Sequence, residues 1–140
     1  MAADITLRVI VRKPPPGVAF AMQSGSDALI APVSATKTKL TFEATATLRA
    51  AADGSLRLSG PIVKGSGDKR FVYINSGQRA GQKETFWDRR AKVFLTDIGP
   101  KQLRACAAKE AVLETEIDGV GRDGGPCCAT VPLLGGWRVV

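Results

Sequence analysis

The residues best suited to chemistry in this 140-residue chain are cations set among aromatic rings. Trp87-Asp88-Arg89-Arg90-Ala91-Lys92 follows Lys69-Arg70, Tyr73 and Arg79 within one basic stretch. On an extended strand Trp87, Arg89 and Ala91 share one face, while Asp88, Arg90 and Lys92 share the other. Two cations side by side suit a phosphate or carboxylate, and arginine pairs with either through two parallel N–H groups. The competing assignment is structural, with Arg89 or Arg90 ion-paired to Asp88, Glu84 or Asp97. A second candidate is GVGRDGGP, residues 119–126, where glycines surround Arg122 and Asp123. A nest of backbone N–H groups there would hold an anion with help from Arg122. Asp123 would act as a lone base or cap its own turn. The motif is not a P-loop, since no Gly-Lys-Ser/Thr follows, nor a dinucleotide fingerprint, since Pro126 leads into a strand. Its alternative is a connecting loop that needs glycine conformations.

Composition excludes more than it selects. With no histidine, the usual zinc sites, Ser-His-Asp and Cys-His catalysis and a histidine pH switch all fall away. Cys106, Cys127 and Cys128 make neither a C-x-x-C motif nor a disulfide framework. The adjacent pair reads as two small residues with at least one facing the core. The aspartates are scattered singly, so a calcium site built from converging carboxylates is not indicated. No carboxylate pair is singled out for glycoside hydrolysis. Neither a cofactor nor a metal is expected.

The net charge of +7 is uneven. Residues 61–100 hold 8 basic and 4 acidic side chains, giving +4; residues 1–60 hold 7 and 4, giving +3; residues 101–140 hold 5 of each. Anionic partners are therefore favoured: an anionic small molecule, a phosphate or nucleic acid. Aromatic residues at 6% leave few rings on which bases could stack. No run reaches the ~18 apolar residues of a membrane span, and the first residues have no signal-peptide pattern. A cytoplasmic protein without a transmembrane segment is expected.

The elements that must position these residues are mostly strands. Residues 5–11 alternate apolar and polar, as do residues 18–23 and, at greatest length, residues 40–49. Pro14, Pro15 and Pro16 form a stiff connector between the first two strands. Residues 28–33 read as an edge strand broken at Pro32. Asp53-Gly54 is a hairpin turn, returning through residues 56–63 with a bend at Gly60-Pro61. Residues 70–75 are apolar on both faces, which predicts a central strand, and residues 76–83 read as a polar loop. A strand over 86–95 leads to a helix over 100–109, opened by Asp97 or Gly99 and Pro100. Alternation resumes at 112–117, and the chain closes through CCATV and GWRVV. This pattern predicts a mostly β protein: an antiparallel β-sandwich or open barrel, C2-like in layout, with one short helix, as a single domain over residues 1–140.

The phrases RFVYINSG, RRAKVFL and GRDGGPCCATVPL together resemble an uncharacterised bacterial family, a domain of unknown function, across nearly the whole chain. The resemblance implies a small stand-alone bacterial protein and transfers no activity, cofactor or catalytic residue. The reading from the residues is a binding module, more than an enzyme, for an anionic partner. Its site residues are Lys69, Arg70, Tyr73, Arg79, Arg89, Arg90, Arg122 and Asp123. The alternatives are a small enzyme using Asp123 with Arg122, and an interaction module whose open sheet edge pairs with another subunit, as in a homodimer.

Overall fold

The computed structural model describes the chain apart from residues 1, 25–27, 66–68, 97, 109–110 and 120–128. For residues 2, 85–90, 108 and 129–130 it describes the backbone alone. The chain forms β1 (Ala2–Arg12), β2 (Val18–Ser24), β3 (Ala28–Ile30), β4 (Ser34–Ala35), β5 (Lys39–Ala50), β6 (Leu56–Ser59), β7 (Phe71–Ala80), β8 (Lys83–Phe94), α1 (Pro100–Ala108), β9 (Val112–Asp118), β10 (Ala129–Thr130) and β11 (Arg138–Val139).

The strands build two sheets. In the first the order is β11-β9-β1-β5-β4, with β6 also paired to β5; in the second it is β10-β8-β7-β2-β3. Most pairs are antiparallel, and the exceptions are β1 with β9 and β8 with β10, which run parallel. The result is a sandwich without a closed barrel, as the alternating apolar pattern predicts.

Period-two alternation decides which side chains meet between the layers. From the first sheet come Leu7, Val9 and Val11 of β1, Phe42 and Leu48 of β5, and Leu113 and Ile117 of β9, all buried. From the second come Phe20 and Met22, Val72 and Ile74, and Val93. Thr115 shares the inner face and is wholly buried, because its Oγ1 donates to the Gly136 carbonyl at 2.8 Å. A buried hydroxyl without such a partner would cost about 1–3 kcal/mol.

The opposite face of the first sheet carries charge in register. Arg8 stands across from Glu43 on β5 and Glu114 on β9. It bonds both, Nε to Glu43 at 2.8 Å and Nη1 to Glu114 at 3.0 Å. Arg138 on β11 reaches Glu114 and Glu116, and Arg12 pairs with Glu116. Cations and carboxylates are thus matched across four strands.

Two local readings are corrected. Residues 76–83 are not a polar loop: β7 continues to Ala80 and β8 begins at Lys83, leaving a tight turn in which Gly81 has a φ of +66°. The strand expected over 56–63 stops at Ser59, where Gly60 turns the chain with a φ of +132°. The β7–β8 ladder slips between Asn75, opposite Arg90, and Gly77, opposite Phe86, so β8 carries two more residues than β7 between these pairs. Polar side chains misled the first reading, since a hairpin end can be wholly polar and still paired.

Helix α1 crosses one end of the sandwich. Pro100 occupies its first turn, where a missing N–H costs nothing. The Gly99 N–H donates to Gln102 Oε1 at 2.9 Å, while Gln102 Nε2 donates to the Trp137 carbonyl at 2.6 Å. Trp137 in turn donates Nε1 to the Phe94 carbonyl at 2.9 Å. One glutamine therefore starts the helix and ties it to the closing strand.

Candidate functional site

The tie at Gln102 holds α1 a short distance from β6, and the gap is a cleft of about 540 Å³. That volume lies within the range typical of small-molecule sites. Its apolar lining comes from Leu56 and Leu58 of β6, Leu95 and Ile98 of the β8–α1 connection, and Pro100 and Leu103 of the helix. Three cations join them: Arg57 from β6, Arg70 from the residue before β7, and Arg104 from α1. No carboxylate is among the described lining residues.

Each arginine is placed by its own element. Arg57 follows the β5–β6 turn, in which Asp53 accepts from the Ser55 amide at 3.0 Å and from the Ser55 hydroxyl at 2.6 Å. Gly54 supplies the φ of +85° that this turn requires. The Ser55 hydroxyl and amide hold the exposed Asp53 carboxyl below the usual aspartate range, with a smaller contribution from the positive charge of Arg57. Arg70 is half-buried and donates Nη1 to the Leu58 carbonyl at 2.8 Å, which leaves other guanidinium N–H groups for a ligand. Arg104 is exposed on α1, one residue beyond the cleft-lining Leu103. None of the three forms an ion pair within 4 Å with a described residue, in contrast to the matched row outside the first sheet.

The residues proposed from sequence are scattered. Arg70 reaches the cleft, and Lys69 sits exposed beside it in the chain. Arg79 lies at the far end of β7, where it pairs with Glu84 at 2.7 Å. At 3.3 Å per residue that is roughly 30 Å from Arg70. Tyr73 is on β7, half-buried, with its ring centroid 5.0 Å from that of Phe71 in an edge-on arrangement. Phe71 also packs edge-on against Phe94 at 5.4 Å and carries the Lys92 ammonium 4.9 Å from its centroid. This aromatic group does not line the cleft. Arg89 and Arg90 contribute backbone to β8, and their side chains lie outside the described residues, as do Arg122 and Asp123 altogether.

Arg57 and Arg104 were missed by reading the sequence. Each looked like an ordinary polar-phase residue of an amphipathic element. The available signal was that both elements put an arginine directly beside an inward leucine, Leu58 and Leu103. Their approach to one another is a tertiary fact.

Among the described residues no cluster of three or more cysteines and carboxylates could hold a metal ion, and no helix is long and apolar enough to cross a membrane. Comparison with curated proteins and with solved structures finds no match. A protein-family model does match, over residues 5–140, and it describes a family of unknown function. With nearly its whole length covered by that model, the chain belongs to the DUF5990 family.

Proposed function

We propose that the protein is a binding module for an anionic molecule with an apolar portion, taken up in the cleft between β6 and α1. The observation that carries this reading is the lining itself: Arg57, Arg70 and Arg104 around leucine, isoleucine and proline, with no described carboxylate. A guanidinium with no carboxylate partner among the described residues, set beside apolar surface, favours an incoming carboxylate or phosphate, and water exclusion by the apolar walls strengthens that attraction. Net positive charge steers an anion toward the cleft without holding it there. The reading moves the anion site away from the loops expected in sequence and retains Arg70 from them.

Calorimetric titration with decanoate and decyl phosphate tests it, with decylammonium as the opposite-charge control. Both anions should bind, and affinity should weaken as salt rises from roughly 50 to 200 mM, inside the range where screening shortens markedly. The double variant R57Q/R104Q should lose about tenfold, equivalent to about 1.4 kcal/mol. Equal binding of decylammonium, or no loss in the double variant, would count against the proposal.

A further inference from the structure

Among the described residues no strand pairs with the outer edge of β6, which forms one wall of the cleft. The Ala51 N–H donates to the Ser55 carbonyl at 2.7 Å, so that pair is of the hydrogen-bonded kind. Along the same register Ala50 faces Leu56, Arg49 faces Arg57, Leu48 faces Leu58 and Thr47 faces Ser59. Bonded and non-bonded pairs alternate in an antiparallel ladder. Arg49–Arg57 and Thr47–Ser59 are therefore the bonded pairs, and Leu56 and Leu58 direct both N–H and C=O away from β5. The Arg70 bond to the Leu58 carbonyl checks this independently, because Arg70 lines the cleft. It leaves the Leu56 N–H, the Leu56 carbonyl and the Leu58 N–H facing the cleft, with no hydrogen bond to a described residue.

We infer that the occupant of the cleft is an extended acidic peptide that adds to β6 as a further strand. The inference rests on the anion-binding reading above and names its ligand class. A carboxylate on an alkyl chain would satisfy the arginines and leucines and leave the strand edge unpaired. An extended peptide satisfies all three, since strand addition supplies main-chain hydrogen bonds while side chains take the pockets. The four residues of β6 span roughly 13 Å, enough for three or four peptide residues. Alternation then places the peptide's carboxylates and apolar side chains in turn, matching guanidinium groups set among leucines. Arg70 occupies the last carbonyl of the edge, so pairing runs through Leu56 and the Leu58 N–H.

The test titrates the unmodified protein with an acetylated, amidated hexapeptide alternating valine and glutamate. Parallel titrations use the same peptide N-methylated at alternate residues in both phases, a lysine-for-glutamate counterpart, and decanoate. Hydrogen exchange at the Leu56 and Leu58 amides is followed throughout. The inference expects the acidic peptide to bind, the lysine peptide not to bind, and one phase of N-methylation to weaken binding at least tenfold. It also expects slowed exchange at both amides when the acidic peptide is bound. Undiminished binding of both N-methylated peptides, or decanoate binding as tightly as the peptide, would overturn strand addition and leave the anion reading standing. If neither the peptide nor decanoate binds, both proposals fail.

Discussion

Glu114 and Glu116 show how single residues of this chain answer to their neighbours. Burial works against ionisation of Glu114, but hydrogen bonds from Arg8 and Arg138 outweigh it and hold the carboxyl below the usual glutamate range. Burial likewise opposes ionisation of Glu116, and bonds from Arg12 and Arg138 reverse the balance. A carboxyl whose folded pKa is depressed adds stability above its unfolded value, near 4.5, and loses it as pH falls through the folded value. Acid should therefore destabilise the protein progressively below about pH 4.5. R138Q should shallow that acid limb by roughly 1 kcal/mol at most, because the Arg138 side chain is 43% exposed and its pairs are partly screened. Urea midpoints measured against pH would show this, and identical pH profiles for the two proteins would refute it. The cleft arginines lack such partners among the described residues, which is why they, and not Arg8 or Arg138, are assigned to a ligand.

Among the elements, the turns show where a side chain matters most. Gly54 and Gly65 both hold a positive φ, +85° and +79°. A Cβ on Gly54 would meet nothing within 4 Å, whereas one on Gly65 would lie 2.3 Å from the Lys69 carbonyl oxygen. G54A should cost only the left-handed backbone penalty, about 1–2 kcal/mol. G65A carries that penalty and must also open the turn that lets Lys64 and Phe71 exchange backbone hydrogen bonds at 2.8 and 3.1 Å. It should lower the melting temperature well beyond G54A and speed amide exchange at Lys64 and Phe71. Equal melting temperatures for the two variants would show that the turn relaxes without cost. Since Arg70 directly precedes Phe71, opening this turn also loosens one wall of the cleft.

The molecule as a whole is assembled by distant pairings. β1 opens the chain, yet it lies between β5 and β9, and the second of these begins only at Val112. The first sheet cannot close until nearly all of the chain has been recruited, and the entropy of closing such large loops precedes the contacts that reward it. Refolding should therefore run in milliseconds to seconds, the range of β-rich sandwiches, and stopped-flow tryptophan fluorescence would read it through the buried Trp137. Microsecond refolding would contradict this account of the topology.

The sequence by itself determined the fold class, the strands with strict alternation, the central place of β7 and the short late helix. These are legible because burial of one face imposes a period of two along each of β1, β5 and β9, whatever their partners. It also put Arg70 among the candidate site residues, on charge and position alone, and the structure sets that residue at the cleft. Only the tertiary structure decided that residues 76–83 are paired and that β1 and β9 run parallel. It also decided that Arg8, Arg12 and Arg138 are matched with glutamates while Arg57, Arg70 and Arg104 have no carboxylate partner among the described residues. The physical reason is that alternation records which face of a strand is buried and says nothing of which strand lies beside it. The cleft exists because α1 is tied through Gln102 to Trp137 at one edge of the first sheet while its other side faces β6. That juxtaposition joins residues far apart in the chain and leaves no local pattern in any of them.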